Sequence, residues 1–359
     1  MIGAPGPVPW VAVGVERVLL ASPRGFCAGV EMAIKSLAWM VRVFEPPVYC
    51  YHEIVHNQVV VDRFRAMGVV FVEDVAEVPV GAPLMLSAHG TAPAVVTAAG
   101  ARAATVVNAV CPLVKKVHHE VKVRAGKGYT VVYVGHQGHQ EAIGTMAVAP
   151  RAVHLVETPA DIAALPEPEG PVAFLAQTTL ALDEWRAVLD AALERWPDLW
   201  VPGQSDLCFA TTNRQTALKA IAARCDAVVV IGSANSSNTR ALQRTAVSAG
   251  CPRVLRINGA GELPDDLAGT VGVIAGASAP EALVEEALAA LAPRQGIEEI
   301  RAVDEDEYFP LPRELRELLR GLAAAAAVSG LAPGSDPRTG GAASLDDRDR
   351  HAAEALASL

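Results

Sequence analysis

The sequence predicts an α/β protein made of three similar lobes, each with its own parallel sheet. Short β-branched runs recur along the chain, and most are followed by a segment with helical periodicity, which is the pattern of parallel βα units. In addition, Cys27, Cys111 and Cys208 lie near helix starts in successive thirds of the chain, each fewer than 100 residues from the next. We therefore expect three similar lobes facing one centre.

Eight strands are predicted from the β-branched runs, with helices between them. The strands are expected at residues 17–22, 48–51, 83–87, 105–109, 130–135, 172–176, 227–232 and 272–275. The clearest helix follows the first strand, where Val30, Ile34, Leu37 and Val41 repeat on one helical face. A second amphipathic segment runs from Leu180 to Trp196.

Composition changes at both ends of the chain. Residues 321–359 hold 12 alanines and no aromatic residue, so we expect little core contact and no loss of stability or activity from a chain ending near Leu319. The expected segments are an N-terminal extension at 1–16, lobes at 17–110, 111–204 and 205–298, a C-terminal segment at 299–320 and a flexible tail at 321–359.

Charge and hydropathy exclude several kinds of partner. The chain has a formal net charge of −10, and no run of Lys or Arg stands out, which argues against nucleic acid and anionic lipid. No apolar stretch approaches the ~18 residues of a membrane span, and no signal peptide is recognised. Six cysteines without a C-x-x-C pair are too few for a secreted disulfide framework. A cytoplasmic protein with reduced thiols is expected.

Cys27, Cys111 and Cys208 are either buried core residues or ligands of one shared group. Each lies at a loop-to-helix junction, where backbone N–H groups stabilise thiolates. Three soft ligands without a fourth suit an iron–sulfur cluster with one open iron, whereas zinc usually takes a fourth ligand or paired cysteines. A packing role is expected for the other three, Cys50, Cys225 and Cys251.

Polar residues follow the predicted strands, at the sheet edge where open α/β proteins bind ligands. Five histidines lie there, and the remaining histidines are expected to be solvated: His118, His119, His154 and His351. Glu141 sits in a His- and Gly-rich loop, where it either favours a helix dipole or acts as a general acid with a raised pKa. Residues 232–238 and Ser278 form hydroxyl- and amide-rich loops, typical of phosphate binding or of ordinary turns.

Together these motifs resemble the 4-hydroxy-3-methylbut-2-enyl diphosphate reductase family, over about Arg17 to Leu311. The matching motifs are PRGFCAGV around Cys27, HEIVHN around His56, SAHG around His89, CPLV from Cys111, GHQGHQE around His139, QTTL around Thr178, CFATTNRQ from Cys208, NSSN ending at Asn238 and GASAPE around Ser278. No P-loop and no G-x-G-x-x-G fingerprint occurs, so nucleotide-dependent chemistry has little support.

The resemblance implies the last step of the non-mevalonate isoprenoid route, an oxidoreductase reaction giving isopentenyl and dimethylallyl diphosphate. The three lobes would form a cloverleaf around a central 4Fe-4S cluster. Cys27, Cys111 and Cys208 would then hold three of its irons, leaving a fourth for the substrate hydroxyl. Glu141 would deliver protons, with Thr178 or Thr179 linking it to that hydroxyl. The substrate-binding residues would be His56, His89, His139, Thr179, Ser236, Ser237, Asn238 and Ser278.

The implied partners are the diphosphate substrate and a ferredoxin or flavodoxin that supplies single electrons, coupled to an NADPH-dependent reductase. Two other readings stay open from the residues. One is a three-lobed cluster enzyme that dehydrates without net reduction, as quinolinate synthase does; the other is a non-catalytic iron–sulfur sensor. Consumption of reductant distinguishes the first, and an activity assay the second.

Overall fold

The computed structural model describes residues 14–328 and 351–357. Its strands in chain order are β1 (Val15–Ser22), β2 (Val48–Tyr51), β3 (Val69–Val72), β4 (Pro83–Leu86), β5 (Thr105–Asn108), β6 (Thr130–Val134), β7 (Val153–Val156), β8 (Val172–Ala176), β9 (Ala227–Ile231), β10 (Val254–Ile257), β11 (Gly269–Ala275) and β12 (Ile297–Arg301). Its helices are α1 (Ala28–Val43), α2 (Gln58–Ala66), α3 (Pro93–Arg102), α4 (Pro112–Gly126), α5 (Gln140–Met146), α6 (Pro159–Ala164), α7 (Leu182–Arg195), α8 (Phe209–Ala222), α9 (Ser237–Ser248), α10 (Glu281–Leu291), α11 (Arg313–Val328) and α12 (Ala352–Ala357).

The strands form three sheets, and every strand pair within them is parallel. The five-stranded sheet has the order β10-β9-β11-β1-β12, the four-stranded sheet β3-β2-β4-β5, and the three-stranded sheet β7-β6-β8. The prediction of an α/β protein with three parallel-sheet units is therefore confirmed.

The sheets differ from the expected lobe boundaries at the two ends of the chain. We placed residues 17–22 in the first lobe and ended the third at 298, but β1 lies between β11 and β12 in the five-stranded sheet. The physical reason is burial: Val18, Leu19 and Ala21 on successive faces of β1 are fully buried, so this strand needs a neighbour on each side and helices on both faces. An interior position in the five-stranded sheet provides both.

Four strands were missed, and all four lie at sheet edges: β3, β7, β10 and β12. Their side chains are only partly buried, as in β12, whose five residues are exposed or half-buried. An edge strand can lack the continuous apolar run by which a central parallel strand is recognised, as β12 does. The strand β3 has such a run, with the sequence VVFV, and was missed all the same. The eight predicted strands are all present, with ends that move by at most a few residues.

Helices cover both faces of the three-stranded sheet. Val117 and Val121 of α4 and Ala142 of α5 pack on one face, together with Tyr133 of β6. On the opposite face, α6 and α7 pack against the alternate residues of the same strands, with Val188 of α7 among them. This arrangement leaves the outer side of α4 exposed to solvent.

The structure contradicts the expected flexible tail in part. Residues 321–328 continue α11, and 351–357 contain α12, which packs against α1. Ala352 and Ala355 are buried there, and the backbone N–H of Ala352 donates to Oε2 of Glu31 at 2.6 Å. Small alanine side chains allow this close approach of two helices. The rest of the expected tail, and residues 1–13 of the expected extension, lie outside the described residues.

None of the described helices is long and apolar enough to cross a membrane.

Candidate active site

Three helix starts bring the three predicted cysteines to one cavity of about 110 Å³. Cys27 is the residue before α1, Cys111 the residue before α4, and Cys208 the residue before α8. Gly29 shows how close two of the thiols are: a Cβ added there would lie 2.9 Å from Sγ of Cys111 and 3.9 Å from Sγ of Cys27. Glycine at this position therefore keeps the space between the thiols open.

Burial changes the pKa of these thiols more strongly than the backbone N–H groups of the helix starts do. Backbone N–H groups of Gly29 and Val30 lie near Cys27, as the sequence predicted, but loss of hydration raises the pKa of the Cys27 thiol. The pKa of Cys208 is likewise raised by burial, to about 12, even though Thr211 contacts its sulfur. The pKa of Cys111 is also raised by burial. Thiolates would form here only against a bound cation.

The donor set fits an iron–sulfur cluster better than a single metal ion. Among the described residues, no three His, Cys, Asp or Glu side chains are close enough to share one ion. A cluster does not require such convergence, because each thiolate binds a different iron. Three thiols on three separate helix starts, around a cavity that also contains polar groups, suit a cluster with one iron facing a substrate.

Three histidines form one wall of the cavity. The rings of His56 and His89 stack with centroids 3.8 Å apart, and the ring of His139 lies edge-on to both, at 5.5 and 6.5 Å. The Nε2 atom of each is buried without a hydrogen-bond partner among the described residues. Burial lowers the pKa of His139 to about 3 and that of His89 well below its usual value.

His139 also shows which way its ring proton points. Its Nδ1 atom accepts a hydrogen bond of 3.2 Å from the backbone N–H of Glu141, at the start of α5. A neutral ring whose Nδ1 accepts must carry its proton on Nε2. The unpartnered Nε2–H of His139 is therefore a donor for an anion in the cavity.

Hydroxyl and amide groups from α9 and the loop after β11 line another part of the cavity: Ser236, Ser237, Asn238 and Ser278. Ser236 caps α9 by accepting from the backbone N–H of Thr239, and Asn238 accepts from the backbone N–H of Ala277 at 3.0 Å. The hydroxyl of Ser278 donates to the carbonyl of His56 at 3.0 Å. These bonds join two sheets at the site and hold each donor in place.

Glu141 lies between the thiols and the histidines and is only 3% exposed. Its Oε1 atom accepts from the backbone N–H of Thr178 at 2.8 Å, and Oε2 accepts from the Thr178 hydroxyl at 2.9 Å. Loss of hydration outweighs these bonds and raises the pKa of the carboxyl to about 7. The pKa is shifted in the direction that the sequence predicted, so the carboxyl keeps its proton to higher pH than a hydrated one.

Thr179 lines the cavity beside Thr178, and the side chain of Gln177 positions it. Nε2 of Gln177 donates to the Thr179 hydroxyl at 2.9 Å and to the Ser237 hydroxyl at 3.0 Å. Every residue that the sequence predicted for the site thus lines this one cavity.

Several supporting residues were missed. Thr211 touches Sγ of Cys208 at 3.0 Å, and its position three residues after a helix-capping residue was a detectable signal. Buried Arg214 donates to the carbonyls of Gly25 and Phe26, just before Cys27, and pairs with Glu305 at 3.0 Å. No local pattern marks Arg214, because its partners lie far away in sequence.

The expectation that His118 is solvated is wrong. His118 is half-buried on α4 and its Nε2 atom is enclosed, because Gly90 comes close to the ring. His52 and His136 do not line the cavity and instead pair with carboxylates. His52 binds Glu73 at 2.7 Å, and His136 contacts Glu184 at 3.3 Å.

The comparisons with known proteins agree with this geometry. The family model described as LytB protein matches residues 18–292. The chain belongs to the LytB family. It is 49% identical over 322 residues to 4-hydroxy-3-methylbut-2-enyl diphosphate reductase 2 of Mycobacterium bovis, covering 85% of this chain and 95% of that relative. It is 44% identical over 319 residues to the reductase of Rhodopirellula baltica, covering 86% and 98%.

Solved structures of the LytB family also match. The E-1-hydroxy-2-methyl-but-2-enyl-4-diphosphate reductase of Plasmodium falciparum superposes with a TM-score of 0.83 at 30% identity, over 86% of this chain and 99% of that one. A second structure, described as the terminal enzyme of the non-mevalonate pathway, matches with a TM-score of 0.56 at 30% identity, over 77% and 99%. The resemblance read from the motifs is confirmed, and the chain is a member of an enzyme family.

Proposed function

We propose that this enzyme removes the hydroxyl group of (E)-4-hydroxy-3-methylbut-2-enyl diphosphate and gives isopentenyl and dimethylallyl diphosphate. The reaction consumes two electrons and two protons and releases one water, so that a C–O bond breaks and a C–H bond forms. The observation that supports it best is the placement of a buried, protonatable Glu141 in the same cavity as three thiols and a set of neutral anion donors. The names of the relatives supply the substrate.

The diphosphate would be bound at the wall that contains the three histidines. Their buried Nε2 atoms, the hydroxyls of the serine loops and the start of α9 offer hydrogen bonds to phosphate oxygens. No lysine lines this cavity among the described residues, so the anion would be held by hydrogen bonds and by histidines that gain protons. The far end of a five-carbon substrate would then lie near the thiols.

A 4Fe-4S cluster held by Cys27, Cys111 and Cys208 would supply the electrons one at a time and a Lewis acid for the leaving hydroxyl. Glu141 would donate a proton toward that hydroxyl, either directly or through the Thr178 hydroxyl to which it is bonded. The side chain of Glu141 is buried, which keeps bulk water away from the acid.

One assay tests the proposal. Protein reconstituted anaerobically with iron and sulfide is supplied with the diphosphate substrate and dithionite–methyl viologen, and products are followed with oxidised viologen. We expect both five-carbon diphosphates and two electrons per molecule formed. Dehydration without oxidation of the viologen would favour the dehydratase alternative, and cluster binding without turnover would favour the sensor.

A further inference from the structure

The lysines of this chain are concentrated in one place. Of the 30 Lys and Arg residues only six are lysines, and four of these lie at positions 115, 116, 122 and 127. The first three are on α4 and the fourth directly follows it. The net negative charge of the whole chain does not reveal this patch, because only two of its four lysines are adjacent in the sequence.

The outer side of α4 is basic along its whole length. Lys115, Lys116, His119 and Lys122 are exposed, whereas Val117 and Val121 of the helix pack against the sheet. The single carboxylate of the helix, Glu120, is half-buried and pairs with Arg124 at 3.3 Å. We call the four exposed side chains the α4 basic face. Positive charge there is not neutralised by acidic residues of the helix itself.

The α4 basic face is close to the thiols. The helix starts directly after Cys111, and a helix rises about 1.5 Å per residue, so Lys115 and Lys116 lie only about 6–8 Å along the axis from that cysteine. Ile143 of α5, on the same face of the three-stranded sheet, is 55% exposed. The surface therefore combines lysines with an exposed apolar side chain beside the cavity.

We propose that the α4 basic face docks the small acidic electron carrier that reduces this enzyme. The inference rests on the proposed function, which requires single electrons from outside the chain. A net charge of −10 repels an acidic carrier from most of the surface, so attraction to one local patch orients its approach. Docking there would place the carrier's redox group near Cys111, where the distance for electron transfer is short.

Lysine suits such an encounter better than arginine. Its ammonium group is strongly hydrated and flexible, so it attracts at a distance without forming rigid bidentate pairs. Electron-transfer complexes are small and short-lived, which fits a face the size of one helix. Nucleic acid is a poorer occupant, because the chain as a whole is acidic and the exposed side of α4 has no aromatic residue for base stacking.

The test variant is K115E/K122E, which leaves Lys116 and its contact with Asp206 in place. A matched control is R186E/R253E, which changes the net charge equally. Arg186 is exposed on α7, on the opposite face of the three-stranded sheet, and Arg253 is half-buried before β10, where it pairs with Asp266. Each reconstituted full-length protein is assayed with a reduced acidic 2Fe–2S ferredoxin and, separately, with dithionite–methyl viologen. Ferredoxin binding is also measured by calorimetry at low and physiological salt.

We expect K115E/K122E to lower kcat/KM for ferredoxin about tenfold or more and to weaken its binding, with a reduced dependence on salt. The dithionite rate and the cluster spectrum should match the unmodified enzyme. Equal loss in the control variant, unchanged ferredoxin kinetics, or binding of a DNA oligonucleotide as tight as that of ferredoxin would overturn the proposal. Absence of turnover with dithionite in the unmodified protein would refute the proposed function instead, while the calorimetry would still test docking.

Discussion

The thiol side and the histidine side of the cavity respond oppositely to the same physical effect. Burial raises the pKa of Cys27 and Cys208 and lowers the pKa of His89 and His139. Both shifts favour the uncharged form of the side chain, because a poorly hydrated cavity disfavours any isolated charge.

The difference lies in what each side can bind. A thiol becomes charged when it loses its proton on binding a cation. A histidine becomes charged when it gains a proton beside a bound anion. The thiol side is thus suited to iron and the histidine side to diphosphate. Glu141 stands between the two regions, with a pKa of about 7 that lets it act in either form.

The largest expected effect is on the thiol side. Replacing Cys27, Cys111 or Cys208 by Ser should abolish the cluster, because a hydroxyl is a poor iron ligand and has no neighbour to replace it. Anaerobically reconstituted protein should show broad brown absorbance and about four irons per chain, and the variants should lose both. Cys50→Ser, at a buried thiol on β2, is the control and should keep them. Stoichiometric zinc without iron uptake would refute the prediction.

The next largest effect is expected from a change at Glu141. Glu141→Gln keeps the shape and the acceptor oxygen for Thr178 but has no transferable proton, so kcat should fall by ~10²–10⁴ with little change in substrate affinity. The unmodified enzyme should also slow as pH rises through about 7, since the acid is then ionised. Glu184→Gln, outside the cavity lining, is the control. A normal rate in Glu141→Gln would remove this residue from the chemistry.

A smaller effect should appear on the histidine side as a dependence of binding on pH. A bound diphosphate raises the pKa of His89, whose Nε2 atom has no partner among the described residues, so binding takes up a proton and tightens as pH falls from 8 to 6, by up to roughly tenfold per pH unit. Calorimetry in buffers of different ionisation enthalpy measures the uptake.

His89→Gln sharpens this test, since the amide retains an N–H donor and cannot gain a proton. Proton uptake should fall while binding persists, and the exposed His119→Gln should behave as the unmodified protein. Uptake that is fully explained by the ionisation of diphosphate itself would contradict the expectation.

The smallest effect lies outside both regions. A chain ending at Arg350 lacks α12 and uncovers the part of α1 against which Ala352 and Ala355 pack. The loss of this small apolar area should cost about 1 kcal/mol of unfolding free energy, seen as a slightly lower Tm with unchanged turnover. Ala353→Ser, at an exposed position of α12, should leave Tm unchanged. An unchanged Tm in the shortened chain would restore the original expectation of a dispensable tail.

The sequence alone determined the features that depend on neighbouring residues. Central parallel strands are continuous apolar runs, helix starts follow loops with recognisable chemistry, and ligand-binding groups come directly after strands. These rules indicated the three cysteines, Glu141 and the anion donors, and the motifs identified the family.

Only the tertiary structure decided the features that depend on distant partners. The position of β1 between β11 and β12, the four edge strands and the packing of α12 on α1 all arise from pairing across long sequence separations. The same holds for Arg214, whose partners Gly25 and Glu305 lie about 90 or more residues away. Helix starts alone predicted stabilised thiolates at the cysteines, but burial reversed that expectation, because hydration is lost only when the lobes close around the cavity.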